Sequence, residues 1–164
     1  MEIDWNGIVR EHGRTVFGAA WRILGHAADA EDVVQEVFLE AQQLENSRPV
    51  DQWQSLLRRM ATFRALDKLR RRKHSAPLDG LSVTAKEHAP EAIAVANELE
   101  TRLRQAIAQL PSREAAVFCL RYFEESRYDE IARSLQISPA AAATALHKAR
   151  EKLKTLLADF DGEN

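Results

Sequence analysis

The sequence has a single cysteine, Cys119, which excludes an intramolecular disulfide. It has no run approaching the roughly 18 consecutive apolar residues of a membrane-spanning helix, and its acidic opening is unlike a signal peptide. It also lacks histidines, cysteines or carboxylates at metal-ligand spacing, a nucleophile paired with a base, and a glycine-rich phosphate loop. We therefore expect a cytoplasmic protein that is not an enzyme, with no metal or cofactor and no membrane insertion.

Positive charge is concentrated in one stretch of the chain. The sequence holds 23 Lys and Arg against 25 Asp and Glu, and eight of those basic residues fall between Leu56 and His74, where the only acid is Asp67. Apolar residues recur there at intervals of three and four, which predicts a helix with one face available for packing. Such a concentration in an otherwise acidic chain favours contact with nucleic-acid phosphates over an ordinary solvated face.

Two segments before the basic stretch also have the periodicity of helices. The first runs from Trp5 to Leu24 and ends at Gly25, and the second runs from Asp29 to Gln43. A third helix is expected to begin near Asp51 and to continue into the basic stretch, so that the three helices form a bundle. Trp53 is expected in the core of that bundle, and the alternative for its ring is stacking on an unpaired base.

The second helix carries three polar residues together on its exposed face, Asp32, Gln35 and Glu36, because its apolar residues define the opposite face. Acids near the start of a helix interact favourably with its dipole. The spacing alone therefore favours capping and solubility over a binding role for these residues.

Residues 75–94 interrupt the helical pattern. They contain proline, glycine, serine and threonine without a sustained apolar stripe, which is typical of a linker. We therefore predict an all-α protein with two small helical domains, residues 1–74 and 95–164, joined by a flexible linker at residues 75–94. This composition predicts that the domains move relative to one another. The alternative is a packed arrangement in which each domain covers the surface that the other would use to bind DNA.

The second domain contains the pattern of a helix-turn-helix between Tyr128 and Pro139. Ala132 is a small residue suited to a close helix crossing, and Ser138 with Pro139 is typical of the N-cap and first position of a second helix. A generic helical hairpin shares most of these features, so the compact turn and the Ser-Pro start are what favour DNA binding. The shared core would come from Ile131, Leu135 and Ile137.

Taken in order, these segments resemble the extracytoplasmic-function (ECF) group of sigma factors, the two-domain members of the sigma-70 family. The strongest motif, Asp29 to Phe38, is similar to the helix that docks on the clamp coiled coil of the RNA polymerase β′ subunit. Leu56 to Ala61 and Ala65 to Arg72 are similar to the part that opens and reads the −10 element of a promoter. Leu110-Pro111 and Leu146 to Arg150 are similar to the domain whose helix-turn-helix binds the −35 element.

The resemblance implies a subunit that directs RNA polymerase to promoters and leaves the catalysis to the polymerase. Its expected partners are core RNA polymerase, through the β′ clamp, and promoter DNA, with an anti-sigma factor as a further candidate. The resemblance assigns polymerase binding to Asp32, Gln35 and Glu36. It assigns contacts on the −10 side to Arg58, Arg59, Phe63, Arg64, Lys68, Arg70, Arg71 and Arg72. It assigns contacts on the −35 side to Thr144, His147, Lys148 and Arg150.

The sequence departs from the family pattern at two places. The family usually has an asparagine at the position of Phe63, where it helps to hold a flipped −10 base, so Phe63 either stacks on a base or packs into the bundle. The lysine and arginine usual on the DNA side of the recognition helix are replaced by Ala143 and Ala145. We therefore expect −35 binding through charge and groove shape. The alternative function is a sigma-like interaction protein that binds polymerase or an anti-sigma factor without reading promoters.

Overall fold

The computed structural model describes the backbone of residues 2–74 and 91–161. The described ranges contain helices and no strand, so the predicted all-α fold is confirmed, and no described helix is long and apolar enough to cross a membrane. The helices are α1 (Trp5–Leu24), α2 (Ala27–Glu45), α3 (Trp53–His74), α4 (Glu91–Gln109), α5 (Ser112–Tyr122), α6 (Tyr128–Leu135) and α7 (Pro139–Asp161).

The first three helices form the predicted bundle. Helix α1 ends where the sequence predicted, at Gly25, whose φ of 61° lies in the left-handed region that glycine adopts without strain. The next residue, His26, caps α2, because its Nδ1 accepts a hydrogen bond from the backbone N–H of Asp29 at 3.3 Å. This compact α1–α2 turn fixes the direction of α2 relative to α1 within the bundle.

The ring of Trp53 packs at the start of α3, as predicted. It is partly buried against the main core and meets Trp5 of α1 edge to face, with ring centroids 5.2 Å apart. Such pairs add to the free energy gained from burial alone. In this structure the ring is therefore part of the packing between α1 and α3.

The predicted linker is only partly within the described residues. Residues 75–90 lie outside them, and residues 91–94 are the first turn of α4. The second helical region thus begins four residues before the predicted boundary at residue 95. The sequence pattern missed this turn because its apolar periodicity becomes regular only after Val95.

The helix-turn-helix is present as predicted. Helix α6 ends at Leu135 and is followed by Gln136, a left-handed residue with a φ of 55°. The next backbone N–H, from Ile137, donates to the carbonyl of Ala132 at 3.0 Å. The hydroxyl of Ser138 then accepts from the backbone N–H of Ala141 at 3.0 Å and caps α7. Ile131 is fully buried between the two helices.

The two halves of the chain, α1–α3 and α4–α7, are packed against each other in this structure. Their contact runs along α3, and the main core combines the buried residues of α1–α3 with residues from the other half. This is the packed alternative rather than the independent domains that the linker composition favoured. The residues contributed by the second half include Ile107, Leu110, Ala116, Cys119 and Leu153.

Candidate polymerase and nucleic-acid interfaces

The exposed face predicted on α2 is present. The side chains of Asp32 and Glu36 are 60% and 47% exposed, and Gln35 is exposed between them. On the opposite side of the helix, Val33 and Val37 are fully buried. The three polar residues therefore form one surface, which we call the α2 face.

An open apolar groove lies beside the α2 face, between α1 and α2, and has a volume of about 400 Å³. Leu39 in its wall is 61% exposed, a large apolar side chain left in solvent. Sequence reasoning missed this groove because Leu39 lies off the buried stripe of α2 and Val9 follows the core periodicity of α1. The groove is lined by Val9, Val34, Gln35, Phe38, Leu39 and Gln42.

One side of α3 is held against α2 by ion pairs. Lys68 lies 3.7 Å from Asp32 and 3.8 Å from Glu36, so a residue assigned to DNA contacts two residues assigned to polymerase. Nearby, Arg64 pairs with Glu40 at 2.7 Å, and the hydrogen bond from this guanidinium to the carboxylate raises the pKa of Arg64. The predicted DNA and polymerase surfaces therefore adjoin one another.

Further along the same side, Arg72 connects α3 with the α1–α2 turn. Its guanidinium donates to the carboxylate of Asp29 and, at 3.0 Å, to the carbonyl of Leu24. Burial opposes ionisation of Asp29, but the hydrogen bond and positive charge of Arg72 outweigh it, so the pKa of Asp29 lies below its ordinary value.

The other side of α3 faces the C-terminal half. Arg58 bonds to both the carboxylate and the backbone carbonyl of Glu124, and Arg59 donates to the carbonyl of Ser134 at 3.1 Å. Arg70 donates to the carbonyl of Leu110 at 3.2 Å. Burial also lowers the pKa of the Arg59 guanidinium, with a smaller contribution from the charge of Arg48.

Four arginines of α3 share a structural role that the sequence did not reveal: Arg58, Arg59, Arg70 and Arg72. The carbonyls they bind, those of Leu24, Leu110, Glu124 and Ser134, lie at or just beyond the C-terminal ends of α1, α4, α5 and α6. Carbonyls at helix ends have no intrahelical partner and carry partial negative charge, so they attract cations.

The contacts of α3 differ from what the sequence led us to expect. We expected its cations to contact nucleic-acid phosphates, whereas in this structure Arg58, Arg59, Arg64, Lys68, Arg70 and Arg72 bind protein groups, and their assignment to DNA stays a prediction. Arg71 remains exposed. Helix periodicity could separate the apolar face from the charged face, but it could not locate helix ends elsewhere in the fold.

Phe63 is partly buried and packs against the main core. Its neighbour Thr62 is fully buried and donates its hydroxyl hydrogen bond back to the carbonyl of Arg58 at 2.9 Å. In this structure Phe63 therefore packs into the bundle, which is one of the two alternatives predicted for it.

The predicted −35 residues Thr144, His147, Lys148 and Arg150 are all exposed on α7. The guanidinium of Arg150 also lies over the ring of Tyr122, 5.1 Å from its centroid. Of the two alanines that replace basic residues of the family, Ala143 is exposed, but Ala145 is only 5% exposed and belongs to the core of the helix-turn-helix. Ala145 therefore lies in the protein core and not on a DNA-facing surface, and the placement of exposed Ala143 on the DNA side stays a prediction.

Comparison with known proteins matches both halves of the chain. The Sigma-70 region 2 family model matches residues 8–75, and the Sigma-70 region 4 model matches residues 100–153. Among solved structures, CnrH in complex with the cytosolic domain of CnrY has a similar fold, with a TM-score of 0.61, 21% identity and coverage of 94% of this chain and 88% of that one. RpoE of Bartonella quintana, in complex with the anti-sigma factor NepR, has a TM-score of 0.58 and 14% identity, over 94% of this chain and 96% of that chain.

Curated relatives match along nearly the whole chain. The ECF RNA polymerase sigma factor SigE of Mycolicibacterium smegmatis is 30% identical over 98% of this chain, which spans 64% of the SigE sequence. The ECF RNA polymerase sigma factor SigW of Bacillus subtilis is 30% identical over 88% of this chain and 84% of its own length. The matched regions contain the α2 face, the basic helix α3 and the helix-turn-helix. The chain therefore belongs to the ECF group of RNA polymerase sigma factors, within the sigma-70 family.

Proposed function

We propose that this chain directs core RNA polymerase to promoters by docking through α2 and holding the −10 element with α3. The observation that carries the proposal is the α2 face, where Asp32, Gln35 and Glu36 are exposed together at the edge of an apolar groove. Acidic side chains beside apolar surface suit a partner whose surface combines basic and apolar residues. That partner is the β′ clamp of the polymerase.

The −10 element is held mainly through phosphate contacts from α3. Arg71 is already exposed on this helix, and Arg64 and Lys68 are partly exposed next to the α2 face. Phosphate contacts fix the position of a protein on DNA, whereas contacts to base edges select the sequence. Arg58, Arg59 and Arg70 join this surface only when they leave their partners in the C-terminal half.

The −35 element is held by α7 with less sequence selection. Thr144, His147, Lys148 and Arg150 offer charge and hydrogen bonds, while Ala143 in the same exposed region offers neither. A well-formed side-chain pair to a base edge contributes about 1–3 kcal/mol of discrimination. Without such a pair from Ala143, binding there depends on charge and groove shape.

Its remaining partners and its location follow from the same assignment. CnrH and RpoE were solved with the cytosolic domain of CnrY and with the anti-sigma factor NepR, and these folds are similar to this one. We extend this to an anti-sigma partner for the present chain. The chain acts in the cytoplasm with the polymerase, which supplies the catalytic chemistry.

In vitro transcription with core polymerase tests this function. The templates are the promoter beside the encoding gene, the same promoter with a mutated −10 element, and one with the −35 element scrambled at constant A/T content. We expect a transcript from the first, almost none from the second and a modest decrease from the third. No transcript from any template with active core polymerase would favour the interaction-protein alternative, and loss of transcription on −35 scrambling would contradict the account of α7.

A further inference from the structure

A buried carboxylate connects the two halves of the chain. Glu124 lies in the turn between α5 and α6, and its side chain is only 2% exposed. One carboxylate oxygen accepts from Arg22 of α1 at 2.8 Å, and the other accepts from Arg58 of α3 at 2.9 Å. Arg58 also donates to the Glu124 carbonyl. Both carboxylate oxygens are therefore bound by guanidinium groups from the opposite half.

The turn that carries Glu124 is itself fixed by hydrogen bonds within the C-terminal half. The backbone N–H of Glu124 donates to the carbonyl of Cys119 at 3.2 Å, and that of Ser126 donates to the carbonyl of Leu120 at 2.9 Å. Between them, Glu125 has a φ of 53°, in the left-handed region that non-glycine residues seldom adopt. The turn therefore holds Glu124 in position, while its exposed neighbour Glu125 makes no such bridge to the part of the chain that the structure describes.

The energetics of this contact suit a reversible connection. A buried carboxylate is costly unless it is paired, so the contact has little net cost or gain while it is intact, but removing one partner is destabilising because the remaining charged groups are left unpaired. The side chains of Arg22 and Arg58 are 43% and 32% exposed, so both can be hydrated as the halves separate. The carboxylate of Glu124 also becomes hydrated when the halves separate.

We propose that the α5–α6 turn is a latch: through Glu124 it holds the chain in a closed conformation in which Arg58, Arg59 and Arg70 are withheld from DNA. Arg59 and Arg70 bind carbonyls of the same half, so all three are released together when the halves separate. Phosphate groups compete with Glu124 for Arg58, because a guanidinium can also bind a phosphate through two parallel hydrogen bonds. This inference rests on the proposed −10 role of α3.

Distance measurements between the halves test the latch. Nitroxide labels at Asn6→Cys and Ala140→Cys, both exposed, report the separation of α1 and α7 by double electron–electron resonance. Native Cys119 is first replaced by alanine in every protein compared, because it lies in the core shared by the two halves and would become accessible to the label when they separate. In E124Q we expect a longer mean distance and a broader distribution than in the wild-type background. The matched control E125Q removes a charge from the same turn and should behave as wild type.

A second variant guards against a folding artefact of E124Q. Arg22→Gln breaks the same bridge from α1, outside the proposed DNA surface, and should also open the chain. If both variants act on one contact, the double variant opens little further than either alone. Circular dichroism checks that helix content is unchanged. Wild-type distances in folded E124Q and Arg22→Gln would overturn the latch.

DNA binding by the free chain tests the masking. E124Q should bind a single-stranded, A/T-rich oligonucleotide at least threefold more tightly than wild type or E125Q in fluorescence anisotropy at low salt. Equal affinities despite longer distances would overturn the proposal, because the released arginines would not then be DNA contacts. Failure of the proposed function appears separately, as absence of transcription by the wild-type chain, and leaves the distance result intact.

Discussion

Replacing Phe63 by asparagine introduces the residue usual at this position in the family and removes an aromatic ring from the bundle. Full burial of a phenylalanine side chain stabilises a fold by about 1.5–3 kcal/mol. Because Phe63 is only partly buried against the core, we expect F63N to lower the free energy of unfolding by about 1–2 kcal/mol. For a chain of this length that corresponds to a melting temperature about 2–8 °C lower.

Thermal unfolding followed by circular dichroism measures this loss, and transcription from templates with single −10 substitutions measures promoter choice. The control F63L keeps an apolar side chain but removes the aromatic ring. If Phe63 serves mainly in packing, F63L stays close to wild type in both assays and F63N loses stability with little change in promoter choice. A stable F63N or F63L protein with an altered −10 preference would refute this reasoning and assign the ring to base stacking.

Two further predictions concern charge. The pKa of Asp29 is lowered in the folded state, so its stabilising effect is present above its ordinary value of 3.8 and is lost as the pH falls through the folded value. D29N should therefore melt below wild type at neutral pH, with the difference shrinking as the pH falls from the ordinary value of 3.8 through the lowered pKa; a constant difference would contradict this assignment. On α7, A143K adds a cation beside Thr144 and should steepen the salt dependence of −35 DNA binding by up to about 0.9 in the logarithmic slope. Gln105→Lys on α4 is its charge-matched control, and an equal change in that variant would argue against α7 as the DNA face.

Much of the fold could be predicted from local sequence signals. Gly25 ended α1 as expected, because a left-handed residue is needed there, and Ser138 with Pro139 marked the start of α7. The buried stripe of α2 followed from its periodicity, and with it the exposure of Asp32 and Glu36. These features depend on residues close together in the chain.

The partners of α3 could not be predicted in the same way. The Arg58–Glu124 contact joins residues 66 positions apart and depends on how the two halves pack. Arg70 and Arg72 bind helix ends whose positions are set by the tertiary structure. A charged helix face is equally compatible with solvent, phosphate and protein carbonyls, so its composition left these three environments open.

Affinity for core RNA polymerase tests docking through α2 most directly. The triple variant Asp32→Asn, Gln35→Ala and Glu36→Gln removes the α2 face without introducing a positive charge next to Lys68, which lies within 4 Å of both acids. The double variant Glu11→Gln and Asp159→Asn, which removes two exposed acids outside α2, is the charge-matched control. We predict that core polymerase binds the wild-type chain and the control equally and the triple variant at least tenfold more weakly, with unchanged helix content. Equal binding by a folded triple variant would contradict docking through α2.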